Sequence, residues 1–282
     1  METRQSFDKK AYMEEAKANR QKCYDMAEEM ALTVGRVPAM LRSYLDKLAE
    51  LPLYTANNVL IIMKQNPNAT YLGEYKYWKG KSVQLKHDEY ECPIYILERG
   101  NEYRKKDGST GVYFNAKKVY DITQTTANFN YKKTYPSTQE LITILANKSP
   151  VPFKNVEANE LPDGMFVYYD SIQNVIKKKS NLGMSDTVFQ LVGMEVAHSI
   201  IAQGNYNYNH EEAHMTAYCA SYVVCKQFSV NTDNYEFDFK IANENGKSYG
   251  IKKELNAIKS TASKVFELID NNLDKPSRNY ER

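Results

Sequence analysis

The sequence predicts an α+β protein of two domains, and three observations support this prediction. At 282 residues the chain is long enough for two domains of ordinary size. Its hydrophobic content of 42% is sufficient for buried cores. Apolar residues recur at helical spacing towards both ends, whereas short β-rich runs occupy residues 69–125. We expect a first domain over residues 1–127, a linker over 128–137 and a second domain over 138–282.

The first domain is expected to begin with helices and to continue with a small antiparallel sheet. Helical spacing extends from about Phe7 to Ala49, and Gly35 and Pro38 interrupt it because both residue types break helices. A shorter helix is expected from Thr55 to Gln65. The strands are expected in four β-rich runs that polar turns separate: Ser82–Leu85, Pro93–Leu97, Gly111–Phe114 and Lys118–Ile122.

The second domain is expected to be mainly helical, with a small sheet. Thr138 is placed to cap a helix over Ser137–Lys148, and Asn209 is placed to cap a later one. A strand is expected over residues 164–170, and an edge strand over Ile172–Ile176. Three further helices are expected over Asp186–Gln203, Asn209–Phe228 and residues 250–273.

Basic residues and tyrosines are concentrated in the first half of the chain. Residues 1–135 hold 22 Lys and Arg against 17 Asp and Glu, a net charge of +5, and 14 of the 23 tyrosines. The remainder holds 15 against 18, a net charge of −3. Lysine and arginine neutralise phosphates and aromatic rings stack on bases, so this half suits nucleic acid. The alternative is that both residue types only reflect an AT-rich genome.

The cysteines and the hydropathy pattern indicate a cytoplasmic protein. Cys23, Cys92, Cys219 and Cys225 form no C-x-x-C pair, so we expect reduced thiols. Residues 1–30 are polar and charged, without the apolar core of a signal peptide. No run approaches the ~18 apolar residues of a membrane span, so no membrane partner is expected.

Four motifs follow one another in the first half in the order that a known family shares. They are Tyr-Thr-Ala-Asn-Asn from Tyr54 with Gln-Asn-Pro-Asn-Ala-Thr from Gln65, then Tyr-Lys-Tyr-Trp ending at Trp78, then Lys86 before the strand Ile94–Leu97, and finally Val-Tyr-Asp-Ile-Thr-Gln-Thr from Val119. Over roughly residues 10–125 the chain resembles the N-terminal domain of ArdC-type antirestriction proteins. One departure is His87-Asp88, where the family has Gly-Glu.

This resemblance implies binding of single-stranded DNA, often without sharp sequence preference. The residues fit that chemistry independently, because lysines alternate with rings that can stack on bases at ~1–3 kcal/mol per base. For Trp78 the alternative to DNA binding is a buried position in the core. For Asn57 and Asn58 the alternative is capping of a helix. The expected DNA-binding residues are Tyr54, Asn57, Asn58, Tyr75, Tyr77, Trp78, Lys79, Lys81, Lys86, Lys117, Lys118 and Gln124.

A segment of the second half reads Gly-Met-Glu-Val-Ala-His and ends at His198. It resembles the zinc helix of ImmA/IrrE-like metallopeptidases, in which His-Glu-x-x-His supplies two ligands and a general base. Met194 replaces the first histidine, and a thioether is a poor Zn²⁺ ligand. In the next helix Tyr218 stands where the family has its third ligand. We therefore expect no catalytic site, with Glu195 as a vestigial base that hydrogen-bonds to Tyr218 or His214.

The range His210–His214 is itself a literal H-E-x-x-H motif. It lies at the start of the helix that should bring the third ligand, whereas the family places its paired histidines earlier. A metal site rebuilt from His198, His210 and His214 therefore stays open. The alternative is a solvated helix start, where acidic residues suit the helix dipole. We expect no metal or other cofactor, with zinc as the one alternative that a rebuilt site would bring.

Together these features predict a single-stranded-DNA-binding antirestriction protein of a phage, plasmid or other mobile genetic element. Its second domain would be a pseudo-metallopeptidase with a structural or partner-binding role. Two alternatives stay open. One is an active zinc metallopeptidase that targets nucleoprotein or host defence proteins, and the other is a protein-binding inhibitor of a host defence complex. The expected partners are single-stranded DNA and a host defence protein.

Overall fold

The computed structural model describes residues 8–127, 134–241 and 246–273. These residues form two compact units. Unit 1 comprises the described residues within Met1–Met40, Leu53–Asn130 and Lys240–Lys252, and unit 2 comprises those within Leu41–Pro52, Tyr131–Phe239 and Lys253–Arg282. Each unit combines helices with a three-stranded sheet, so the predicted α+β class is confirmed. No described helix has both the length and the apolar content needed to cross a membrane.

The helices of the first half begin and end at residues that the sequence marks. Helix α1 (Lys9–Arg36) begins where the Asp8 side chain accepts hydrogen bonds from two backbone amides, and α2 (Pro38–Glu50) follows the expected break. Residues of α2 from Leu41 onward belong to unit 2. Helix α3 (Ala56–Gln65) is capped by the hydroxyl of Thr55. The predictions of helix here are confirmed.

The sheet of unit 1 consists of β1 (Leu72–Gly73), β2 (Ile94–Arg104) and β3 (Thr110–Asp121) in the antiparallel order β1-β3-β2. Strand β3 joins two runs that were predicted as separate strands. The predicted strand Ser82–Leu85 is wrong, since only Leu85 forms an isolated bridge. Residues Tyr75–Gly80 form a short helix, α4, although they lie in the β-rich segment 69–125.

Two amide side chains of α3 bind the outer edge of β2. The Asn58 amide donates to the Leu97 carbonyl at 2.9 Å and accepts from the Leu97 amide at 2.8 Å. Two helical turns later, Gln65 makes the same pair of bonds to Tyr95, at 2.8 and 2.9 Å. Tyr95 and Leu97 are alternate residues of the strand, so their backbone groups point to the same side. The motif residues Asn58 and Gln65 therefore join helix to sheet.

Unit 2 contains α5 (Thr138–Lys148), α6 (Asp186–Ala202), α7 (His210–Gln227) and most of α8 (Tyr249–Asp270). Ser137, not Thr138, caps α5, because the Ser137 hydroxyl accepts from the Glu140 amide. The predicted cap of α7 is confirmed: the Asn209 side chain accepts from the Glu212 amide at 3.1 Å.

The sheet of unit 2 has the order β4-β6-β5, with β4 at Phe153–Val156, β5 at Val167–Asp170 and β6 at Val175–Lys179. Strand β6 is central, so the prediction of an edge strand there is wrong. The reason is β4, which was not predicted and pairs in parallel with β6.

Helices α6 and α7 pack closely against each other, and this packing positions the site described below. A Cβ on Gly193 would lie 3.1 Å from the Ser221 hydroxyl oxygen, so the two helices approach where α6 has no side chain. That hydroxyl donates to the Gln190 carbonyl of α6 at 2.8 Å. The connection between the helices is short, with a turn at Gly204, whose φ of +72° favours glycine.

Candidate metal centre and nucleic-acid surface

Three of the four histidines of the chain converge in unit 2. Helix α6 provides His198, and the first two turns of α7 provide His210 and His214. One nitrogen from each ring lies within 4.8 Å of the other two. The His198 and His210 rings are stacked, with centroids 3.8 Å apart and planes 16° from parallel. The structure thus brings together the three residues that the sequence marks as candidates for a rebuilt site.

His198 forms the buried floor of this cluster. Its Nδ1 lies 2.9 Å from the Tyr208 hydroxyl. Its Nε2 is buried and has no hydrogen-bond partner among the described residues. Burial, with smaller contributions from His210 and His214, lowers the pKa of His198 to about 2. The ring is therefore neutral over the physiological pH range, which is the form that binds metals.

Glu195 lies one helical turn before His198 and is 1% exposed. Its Oε2 accepts a hydrogen bond from the Tyr169 amide of β5 at 2.7 Å and another from His210 Nε2 at 3.1 Å. The expectation that Tyr218 or His214 would be its partner is wrong, because β5 brings a backbone donor closer. A carboxylate that holds one imidazole nitrogen as N–H leaves the other as a free lone pair.

The cluster reaches the protein surface on the side of α7. His210 is half-buried and His214 is exposed. The pKa of His214 is lowered by burial and by the neighbouring His210, with Glu195 opposing the shift. The Tyr168 ring lies against His210, with centroids 5.0 Å apart. A ligand from solvent can therefore approach the three nitrogens from the side of His214.

Of the two positions that replace the family's ligands, only Tyr218 lies beside the cluster, with its ring centroid 6.0 Å from that of His214. Met194 is half-buried on α6. The Tyr218 hydroxyl accepts from the Glu236 amide at 2.7 Å and donates to the Glu236 carbonyl at 3.1 Å. Tyr218 thus fixes the segment that follows α7.

The donor set fits a divalent transition-metal ion. Imidazole is a common ligand of zinc, copper, iron and nickel. Zinc with Zn–N bonds of about 2.1 Å holds tetrahedral nitrogens about 3.4 Å apart, so the three nitrogens, which lie within 4.8 Å of one another, would bind one ion after side-chain rotations that unstack the His198 and His210 rings. The buried Nε2 of His198, which has no hydrogen-bond partner among the described residues, is a polar atom that such an ion would satisfy. Three protein ligands with one side open to solvent are also the pattern of zinc sites that bind water or substrate.

In unit 1, three of the predicted DNA-binding residues are structural. Trp78 is 0% exposed and donates its indole N–H to the Tyr120 carbonyl at 3.0 Å, so its ring cannot stack on a base. Asn58 is buried against Leu97. Gln124 is buried and its side chain accepts from the Asp121 amide in a capping box. For these residues the prediction is corrected: their polar atoms serve the fold.

The remaining predicted residues of unit 1 differ in their exposure. Lys117 is half-buried and forms ion pairs with Glu74 and Glu98, so its charge is already neutralised. Tyr54, Asn57 and Tyr77 are also half-buried. The exposed members of the predicted set are Tyr75, Lys79, Lys81, Lys86 and Lys118.

The comparison with known proteins gives a match of structure only. No protein-family model and no curated protein matches the chain. The metal-free crystal structure of the antirestriction ArdC protein from the R388 plasmid is 11% identical, with a TM-score of 0.49, over 77% of this chain and 86% of that chain. The Mn(II)-bound structure of that protein is 11% identical, with a TM-score of 0.50, over 79% of this chain and 86% of that chain. The chain has an ArdC-like fold. The resemblance that the motifs indicate is thereby confirmed at the level of the fold.

Within this ArdC-like fold, sequence reasoning missed the residues that hold the histidines in place. Tyr208 contacts His198, and the Tyr169 amide binds Glu195. Tyr208 could have been found from its position two residues before the H-E-x-x-H motif. The connection between α6 and α7 is short, so a residue next to the start of α7 lies close to α6. The contact with Tyr169 could not have been found in this way, because a backbone amide is the same for every residue type except proline.

Proposed function

We propose that this protein is an ArdC-type antirestriction protein that binds single-stranded DNA and holds a divalent transition-metal ion on His198, His210 and His214. The observation that carries the proposal is the convergence of these three imidazoles in a chain with the ArdC-like fold. The ArdC protein of the R388 plasmid is an antirestriction protein that was crystallised with Mn(II) bound. Three imidazoles, one with a buried nitrogen that has no described partner, suit a divalent transition-metal ion.

The DNA-binding part of the proposal rests on unit 1. Residues 1–135, which include most of this unit, carry a net charge of +5. Exposed rings such as Tyr75 lie in the same segment as exposed lysines such as Lys79 and Lys81. Cations that contact phosphates, combined with rings that stack on bases, are the usual means of binding single strands without sequence preference.

In unit 2, a different contact would position each of the metal-binding side chains. Tyr208 orients His198, Glu195 orients His210, and His214 completes the set at the surface. Hydrogen bonds of this kind, from the second nitrogen of each ring, fix the tautomer and the direction of the ligand atom. A bound divalent ion would supply a Lewis acid and would lower the pKa of a coordinated water.

We infer that unit 2 is not a peptidase. Glu195 Oε2 already accepts hydrogen bonds from two donors, the Tyr169 amide and His210, and the side chain is buried. A general base must be within hydrogen-bond reach of the proton that it removes. Glu195 is better placed to orient His210, so the metal would stabilise a scaffold that binds partners.

A metal-dependent hydrolase is the second candidate function, and one observation favours it. A carboxylate lies beside three imidazoles that open to solvent through His214. If that carboxylate releases His210 when substrate binds, it becomes a base next to the metal. Cleavage of a casein or peptide library by the zinc-loaded protein, abolished in Glu195→Gln with zinc content unchanged, would establish this candidate in place of the scaffold.

The metal proposal is tested by elemental analysis and calorimetric titration of the full chain with Zn²⁺ and Mn²⁺. We expect about one ion per chain, and loss of it in His198→Ala, His210→Ala or His214→Ala. The chain offers a matched control in His87→Ala, because His87 is the fourth histidine and is exposed in unit 1. No bound ion in the wild type, or equal loss in the control, would refute the metal site.

The DNA proposal is tested by fluorescence anisotropy with a labelled single-stranded oligonucleotide and its duplex. We expect tighter binding to the single strand, with an affinity that falls as salt rises. The slope of log K against log salt should be about −0.7 per phosphate contacted. Equal affinity for both forms at the same salt concentration would contradict the proposal.

A further inference from the structure

The β2–β3 hairpin of unit 1 carries an exposed pair of tyrosines. Tyr103 on β2 and Tyr113 on β3 are 37% and 50% exposed, and their ring centroids lie 4.2 Å apart with planes 36° from parallel. Residues 101–110 around the hairpin tip are all exposed. Rings so near the tip of a hairpin contribute little to a hydrophobic core. A pair of neighbouring exposed rings is therefore a candidate binding surface.

The arrangement of the two rings depends on a glycine. Gly111 is directly opposite Tyr103 in the register of the hairpin, and Tyr113 is two residues further along the same face. A Cβ on Gly111 would lie 2.7 Å from Cε1 of the Tyr103 ring. Because Gly111 has no side chain, the Tyr103 ring can lie across the strand beside Tyr113. The two rings then present a continuous aromatic surface to solvent.

Positive charge lies next to this surface, at the hairpin tip. Arg104 follows Tyr103, and Lys105 and Lys106 enter the turn. The turn has a defined shape: the Lys105 amide donates to the Ser109 carbonyl at 2.8 Å, and the Asp107 carboxylate accepts from Ser109. Three cations beside a pair of neighbouring aromatic rings match a chain of alternating phosphates and bases.

We infer that the hairpin tip is a binding surface for single-stranded nucleic acid, with bases stacking on Tyr103 and Tyr113 and phosphates contacting Arg104, Lys105 and Lys106. This inference rests on the proposed DNA-binding function and locates it on a surface that sequence reasoning did not select. A cross-strand aromatic pair also stabilises a hairpin, so the test must separate binding from stability.

The experiment measures anisotropy of a labelled oligo(dT) with the full chain at fixed salt, and the melting temperature of each variant. We expect Tyr103→Ala and Tyr113→Ala to bind about 5- to 140-fold more weakly, which is the range for loss of one base stack of ~1–3 kcal/mol. Gly111→Ala should also weaken binding, because it keeps both rings but displaces Tyr103. Tyr103→Phe should bind like the wild type. Melting temperatures should stay close to that of the wild type throughout.

The cations are tested by the triple variant R104Q/K105Q/K106Q. Its slope of log K against log salt should be less steep by about 0.7 for each phosphate that the three neutral side chains no longer bind. Matched controls remove the same groups from the exposed face of α1: Tyr24→Ala, which is 38% exposed, and K10Q/K17Q/K22Q. These controls should bind like the wild type.

The outcomes separate this inference from the function on which it rests. If the wild type does not bind single strands, the proposed function fails. If the wild type binds and the hairpin variants bind equally well, the function stands and the hairpin inference is overturned. The inference is also overturned if the α1 controls lose as much affinity as the hairpin variants, or if Tyr103→Phe binds as weakly as Tyr103→Ala.

Discussion

The imidazole of His198 stacks on that of His210 at a centroid distance of 3.8 Å, within 16° of parallel. Two protonated rings at this distance would repel each other, and burial of His198 adds a desolvation cost. His198 is therefore held neutral, with its pKa lowered to about 2. A neutral imidazole keeps the nitrogen lone pair through which it can bind a metal ion.

Binding of a metal to this cluster should stabilise the protein against unfolding. At a free Zn²⁺ concentration of 100 times the dissociation constant, the free energy of unfolding should rise by about 2.7 kcal/mol. Thermal melts with and without Zn²⁺ would measure the shift, and a chelator should reverse it. The same shift in His198→Ala would show that the ion binds elsewhere.

Glu195→Ala should weaken metal binding by about 10- to 100-fold, because His210 loses the carboxylate that orients its ring. Titration calorimetry would measure the change. Glu211→Ala serves as control, since Glu211 is an exposed acid on α7 beside His210. An unchanged affinity in Glu195→Ala, with a native far-ultraviolet circular dichroism spectrum, would exclude the orienting role.

Asn58→Ala should lower the free energy of unfolding by roughly 2–4 kcal/mol, because both backbone groups of Leu97 lose their partner. Asn57→Ala, at the half-buried neighbouring position, should cost less than about 1 kcal/mol. Urea denaturation followed by tryptophan fluorescence would compare them. Equal losses in the two variants would contradict the structural role of Asn58.

Tyr75→Ala should weaken binding of single-stranded DNA at an unchanged melting temperature. Tyr75 is 42% exposed, and its ring lies 5.7 Å from that of Tyr90. Trp78→Ala should instead destabilise unit 1 by about 3–5 kcal/mol, because Trp78 is in the core. Anisotropy together with thermal melts would separate the two effects. A Tyr75→Ala variant with full affinity would remove α4 from the DNA-binding surface.

The Asp170–Lys177 ion pair should make stability depend on pH in the acid range. Lys177 Nζ lies 2.8 Å from the Asp170 carboxylate, and this hydrogen bond is the main cause of the lowered pKa of Asp170. A lowered pKa adds stability above the ordinary value of 3.8, and that stability is lost as pH falls through the folded-state pKa. Asp170→Asn should therefore cost roughly 1 kcal/mol at pH 7. The difference from the wild type should shrink below about pH 4.

The helices were predictable because residues that cap or break helices lie at their ends. Thr55 and Asn209 cap α3 and α7, and Pro38 opens α2 after a break. Helix α4 was not predictable: its six residues are too few to show a period, and its aromatic residues favour strands. Strand β4 was missed because Phe153–Val156 has only four residues and no alternation of polar and apolar side chains.

The candidate site was predictable to the extent that it depends on helix geometry. His210 and His214 share a helix face four residues apart, and the resemblance to a zinc helix placed His198 opposite them. The contact between Glu195 and the Tyr169 amide was not predictable, because that amide belongs to the backbone of β5, 26 residues earlier in the chain. The hairpin tyrosines were missed because the register that places Tyr103 over Gly111 depends on a bulge between Arg99 and Glu102.

The amide pairs from α3 to β2 also determine what can attach to unit 1. Strand β2 is the last strand on its side of the sheet, and such a strand normally offers free N–H and C=O groups to a strand from another chain. Here Asn58 and Gln65 already bind those groups at Leu97 and Tyr95. An incoming strand would have to displace the side-chain amides of Asn58, which is buried, and Gln65, which is half-buried, so the edge is protected against sheet-to-sheet aggregation at these positions. A protein partner therefore cannot extend the sheet at Tyr95 and Leu97 without breaking these bonds.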